Sequence, residues 1–209
     1  LNGFGEHRIE GIGDKHVPWI HNIKTTDVVV GIDDDACMSL LRLFNEPEGR
    51  DYLRGRGVDP ILVDRLDLLG ISSIANLLTA VKTARYFEMG PEDLLFTVAT
   101  DSMELYGSRF EEEREHHGVY SETSAAAHHE RYLLGTGMDH MLELGYLDRK
   151  RIHNLKYFTW VEQQDKSVEE LDAQWYDDDY WTTHFHAWEE WDRQIEAFNE
   201  RTGLLERYR

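Results

Sequence analysis

The sequence predicts an α/β fold, a layered and largely parallel sheet flanked by helices, followed by an all-helical, aromatic-rich extension. Three observations carry this expectation. Two apolar runs rich in β-branched residues, TDVVVGI at 26–32 and DLLFTVAT at 93–100, have the pattern of buried strands. The segments between them repeat apolar residues at helical spacing. After Arg109 no strand-like run recurs, and five of the six tryptophans (Trp160, Trp175, Trp181, Trp188, Trp191) fall there. The predicted division is a partial α/β domain over 1–109 and a helical extension over 110–209.

Each element has its own local reason. Asp33, Asp34 and Asp35 follow the first strand and suit a helix N-terminus, where a carboxylate accepts backbone N–H groups and meets the positive end of the dipole. Residues 36–44 continue as an amphipathic helix. A polar connection with glycine and proline over 45–59 leads to a short helical piece ending near Leu66. Leu68 to Ile71 is a brief apolar run, and Ser72 and Ser73 are expected to cap a strong helix over 74–87, which Gly90-Pro91 ends. The second strand follows, so the order reads β-α-(α)-β-α-β, the sign of a layered fold. In the extension, 111–117 is a charged stretch, while 124–134, 139–146 and 148–160 have helical periodicity. A capping box, Ser167-x-x-Glu170, opens another helix.

Composition narrows function. The 209 residues carry 22 basic and 41 acidic side chains, a formal charge of −19, which repels phosphate backbones and anionic lipid. Nucleic-acid and membrane partners are therefore not expected, and no apolar run is long enough for a membrane span or a secretory signal. The single cysteine, Cys37, excludes an internal disulfide framework and a cysteine-based zinc site, and the expected compartment is the cytoplasm. Leu1 stands first in place of methionine, and Gly11 already lies in what reads as mid-domain sequence. That points to a processed product or a piece of something longer.

Three short segments could carry chemistry. Gly3 with Gly5, and Gly11 with Gly13, bring glycine density that lets backbone approach a ligand, or simply forms a loop. Their spacing is neither a dinucleotide fingerprint nor a phosphate-binding loop. Gly70-Ile-Ser72-Ser73 stands where a strand would turn into a helix, a place where ligands bind and also where serines cap. Thr100-Asp101-Ser102 follows the second strand, where a hydroxyl or carboxylate can hold a heterocycle nitrogen or a substrate amine, or cap a helix.

Taken together, HRIEGIGDKHVPW (7–19), GISSIAN (70–76) and TDSMELY (100–106) resemble, in order and spacing, the cysteine synthase and cystathionine β-synthase group of fold-type II pyridoxal-phosphate enzymes. The resemblance covers about half the chain, residues 5–109, with Pro18 and Tyr106 at family positions. It implies the large domain of that fold and β-elimination or β-replacement on an amino acid. Ser102, with Asp101 as runner-up, would hold the pyridine nitrogen of pyridoxal 5′-phosphate. Gly11 and Gly13 would border the substrate, and Gly70 and Ser72 would form the turn beneath the site. Ile74 replaces a family glycine, and Met103-Glu104-Leu105 departs from the family's Gly-Glu-Arg, marking a divergent branch.

The family's Schiff-base lysine and its glycine-rich phosphate loop have no counterpart here. None of Lys15, Lys24, Lys82, Lys150, Lys156 and Lys166 has the expected context. The resemblance therefore implies the C-terminal part, or a β subunit, of an enzyme that is inactive alone. Its expected partners are an N-terminal half or α subunit, the amino-acid substrate, and further copies in a homo-oligomer of the complete enzyme. Two other functions remain open. The aromatic-rich tail could serve a non-catalytic interaction or regulatory module. Less favoured is a metal hydrolase built from His116-His117, His128-His129 or His184-x-His186 with nearby carboxylates. These spacings match no strong zinc signature, so no metal ligand is assigned.

Overall fold

A computed structural model of the chain describes residues 7–9, 11–13 and 16–208. Gly3, Gly5 and Lys15 lie outside the described residues. The chain falls into two compact units, one built from Leu1–Lys15 and Val28–Glu143, the other from His16–Asp27 and Leu144–Arg209.

The first unit is helical. After strand β1 (Val28–Val30), helix α1 (Asp34–Asn45) starts where the Asp33 side chain accepts from the Asp35 N–H at 2.8 Å, as the aspartate run predicts. Helix α2 (Pro47–Gly55) and the single turn α3 (Pro60–Val63) begin with proline, whose missing N–H costs nothing at a helix start. The long α4 (Ile71–Tyr86), α5 (Gly107–His117) and α6 (Glu122–His128) complete the unit, and a π-helical segment, His129–Leu134, extends α6. Its core is aliphatic: Cys37, Met38, Leu40, Leu41 and Leu43 of α1 close against Ile71, Ile74, Ala75 and Leu78 of α4. A buried cation lines one side of this core. Arg42 bonds Glu46 at 3.0 Å and the Gly118 carbonyl at 2.8 Å and stacks over the Tyr120 ring. Burial raises the Glu46 carboxyl, but hydrogen bonds from Arg114 and Arg42 outweigh it and hold the group below its ordinary range.

The layered parallel sheet is not formed. Among the described residues the sheet has two strands, with β1 antiparallel to β2 (Met141–Glu143) in the register Val28 to Glu143, Val29 to Leu142 and Val30 to Met141. The α/β expectation fails for two physical reasons. Residues 139–146 have helical spacing, yet Met141–Glu143 among them supply the partner of β1. The run 93–100, expected to be a buried strand, has no regular secondary structure and joins no ladder among the described residues, and its apolar side chains face solvent. Strand identity needs a pairing partner, which a local apolar pattern does not provide. The helix capping by Ser72 and Ser73 is also corrected. Both serines lie inside the first turn of α4, Gly70 is the N-cap, and no side chain caps it.

In the second unit, α7 (Tyr146–Asn154) runs into a π-helical turn, Tyr157–Val161, and the short α8 (Glu162–Gln164). Helices α9 (Val168–Tyr176), α10 (Asp179–His186) and α11 (Trp188–Thr202) follow. The capping box at α9 is present, with Ser167 Oγ accepting from the Glu170 N–H at 3.0 Å. This core is aromatic and polar. Lys156 is fully enclosed, and its Nζ donates to the Trp19 carbonyl (2.9 Å), the His21 carbonyl (2.7 Å) and Gln174 Oε1 (2.8 Å). Burial pushes its pKa down to about 8.

Candidate functional site

The three segments singled out by sequence meet within the first unit. Gly70, at the start of α4, donates its N–H to the Asp101 carbonyl at 3.0 Å. A side chain at Gly70 would place Cβ 2.4 Å from Asp101 Oδ1 and 2.7 Å from the Tyr106 ring, so only glycine fits between them. Gly11 lies against the same helix end. Its Cβ, if present, would stand 2.5 Å from Ser72 Oγ. Gly13, in the same exposed loop, has φ of +81°, a backbone state glycine adopts without strain.

The neighbouring serines divide their roles. Ser73 Oγ accepts from the Thr100 N–H at 3.0 Å and lies 3.2 Å from both the Asp101 carbonyl and Oδ1. The Asp101 carboxylate also accepts from Thr100 Oγ1 at 3.2 Å and from the Tyr106 hydroxyl. Asp101 is thus engaged on both oxygens and works as a clamp between the end of 93–100 and α4. Ser72 is 1% exposed, and among the described residues its Oγ has no hydrogen-bond partner. A buried hydroxyl without a partner costs about 1–3 kcal/mol, so its retention asks for an explanation. Ser102, favoured on the resemblance, is half-buried ahead of a short 3-10 turn, Met103–Leu105, and its hydroxyl makes no capping bond.

Sequence reading missed this division of labour, because two adjacent serines carry no local mark of which one a distant aspartate will engage. The lysines among the described residues are also engaged. Lys82 is buried in α4 and donates to the Asp139 carbonyl at 2.8 Å and the Gly31 carbonyl at 3.3 Å. In the second unit Lys24 donates to the Trp175 carbonyl at 3.2 Å, Lys150 lies over the Trp175 and Tyr176 rings, and Lys166 lies over Trp19. The Cys37 thiol is fully buried and pushed up to about 12 by burial and the neighbouring Asp34 and Asp33, so it is inert as a nucleophile.

Among the described residues no group of three or more histidine, cysteine or acidic side chains could hold a metal ion, and no helix is long and apolar enough to cross a membrane. No family model, no curated protein and no solved structure matches this chain.

Proposed function

We propose that the first unit forms one wall of a site for pyridoxal phosphate and an amino-acid substrate, and that another polypeptide segment completes it and supplies the anchoring lysine. The observation that carries this reading is the buried Ser72 hydroxyl, without a partner among the described residues and held against Gly11. It fits the ring nitrogen of such a cofactor, which needs one polar partner in an otherwise close-packed wall. The reading rests on this site and on the resemblance of three segments. It does not use the layered sheet, which is absent.

On this assignment Ser72 takes the ring-nitrogen role. Ser102 has an exposed side for solvent, and Asp101 is already engaged by Ser73, Thr100 and Tyr106. The bound cofactor would supply an electron sink for the substrate's α carbon. Ser72, a neutral hydroxyl, would leave the ring nitrogen unprotonated, which favours elimination or replacement at the β carbon over transamination. Asp101 and Tyr106 would hold the α4 end so that Ser72 stays directed at the ring. The exposed loop of Gly11, Ile12 and Gly13 covers Ser72 and would lift as ligand enters, then border the substrate.

A completing partner is supported by 93–100, which ends at the site. Leu94 is 78% exposed and Phe96 92% exposed, and this apolar surface adjoins Thr100 and Asp101.

Titration with pyridoxamine phosphate, followed by ligand NMR, tests the assignment without needing the lysine. The native chain is expected to bind, and Ser72→Ala to weaken binding about fivefold to tenfold, the value of one hydrogen bond. Unfolding measured in parallel is expected to show Ser72→Ala as stable as the native chain or more so, since the lost hydroxyl bonds nothing. Equal affinity in the two proteins would overturn the assignment.

A further inference from the structure

Helix α11 has 15 residues, none of them buried. Along one face stand Trp188, Trp191, Ile195 and Phe198, exposed by 53, 54, 56 and 49%. Their spacing of three, four and three residues is the a/d repeat of a two-heptad coiled-coil seam. A row of large apolar side chains at this exposure is an unpartnered surface.

We infer that this seam pairs in parallel with α11 of a second copy of the chain. The inference is independent of the cofactor reading. Heptad positions beside the seam argue for a second copy over a charged partner. They carry Asp192 and Asn199 on one edge, Gln194 and Arg201 on the other. That rim is close to neutral and calls for neither a basic nor an acidic helix. The remaining acids of α11, Glu189, Glu190, Glu196 and Glu200, occupy the outward positions, where charge stays solvated.

Direction follows from the same rim. In a parallel pair each edge meets the opposite edge of its partner, so Gln194 stands beside the second copy's Asn199, an amide facing an amide. Gln194 already donates its amide to Glu190 at 2.8 Å, which leaves its carbonyl to accept. Antiparallel pairing would instead bring the two copies of Asp192 together. Half-exposed side chains of this size contribute roughly 100 Å² each. With its rim, a pair of seams therefore covers about 1,000 Å² in total, the lower bound of a specific interface. With a charge of −19 on each copy, general repulsion opposes association, so the dimer is expected to tighten as salt rises.

Sedimentation of the full chain over a wide concentration range, at low and high salt, tests this. A monomer–dimer equilibrium strengthened by salt is expected. Trp191→Glu should weaken it at least roughly tenfold while circular dichroism stays unchanged, because the side chain is solvent-facing. Phe96→Glu, on the exposed run of the first unit, should leave it intact. Phe198→Cys should cross-link the dimer on mild oxidation, since equivalent seam positions adjoin in a parallel pair and the buried Cys37 does not compete. A chain monomeric under all conditions, a dimer indifferent to Trp191→Glu, or a dimer lost with Phe96→Glu would overturn the proposal. A Trp191-dependent dimer that Phe198→Cys fails to cross-link would overturn the parallel pairing.

Discussion

The unit around α1 and α4 fills its interior chiefly with leucine, isoleucine and methionine beside the paired Arg42 and Glu46, and among the described residues it leaves the buried Ser72 hydroxyl unpaired and an apolar run in water. The unit around Lys156 packs tryptophan, histidine and a lysine, and its buried cation has an acceptor for each of its three protons. An aliphatic core tolerates an open edge because its packing is local. A buried charge does not, because every acceptor around it must be present for the enclosure to be stable. The Lys156 ammonium is therefore fully bonded, although Gln174 Nε2 beside it is buried without a partner among the described residues, as Ser72 Oγ is in the first unit.

The largest expected effect separates the two centres. Lys156→Met should lower stability by about 3 kcal/mol in urea unfolding, since it strands two carbonyls and the Gln174 amide oxygen. Ser72→Ala, equally buried, should cost nothing. If both changes cost the same, the contrast between the bonded Lys156 ammonium and the unbonded Ser72 hydroxyl is wrong.

Acid sharpens the comparison next. His153 Nε2 donates to the Leu171 carbonyl of α9 at 3.0 Å, and burial pushes its pKa down to about 4. The unfolded imidazole takes a proton near pH 6.5 that the folded one refuses. Stability is therefore full above that pH and falls as pH drops from 6.5 towards 4, by up to about 3 kcal/mol. Lys156 has the same sign at alkaline pH, with stability rising between about 8 and 10.5 as the unfolded chain alone stays protonated. Burial also lowers His128 and His129 in the first unit. Tryptophan fluorescence from the second unit should report acid unfolding, and His153→Gln should shift its midpoint to lower pH.

A smaller effect is expected within the site. Tyr106→Phe removes one donor to Asp101 and should cost about 1 kcal/mol. The smallest belongs to the open edge, where Phe96→Glu should change stability by less than about 0.5 kcal/mol, because that ring is 92% exposed. A large loss would mean that 93–100 is held by contacts and is not an open edge.

The same contrast explains what was legible in the sequence. Helices α1 and α9 could be read because their caps, Asp33 and Ser167, act within one turn. The strand character of 141–143 could not, since a short apolar run fits a helix until β1 lies beside it. For 93–100 the pattern is that of a buried strand, and its failure to pair is a fact about neighbours, which no local pattern contains. The three segments of the candidate site stand in order in the sequence, and the structure brings Gly11, Gly70 and Asp101 to one end of α4. The site's internal assignment was not legible, because Ser73 and Ser72 differ only in which one meets Asp101, 28 residues away in sequence for Ser73.

The central proposal is a wall of a pyridoxal-phosphate site whose anchoring lysine lies on another polypeptide segment. Incubation with pyridoxal phosphate, borohydride reduction and intact mass measurement tests it most directly. The account predicts no stoichiometric adduct on the native chain. A single adduct, mapped to one lysine and formed in equal proportion with the protein, would contradict it.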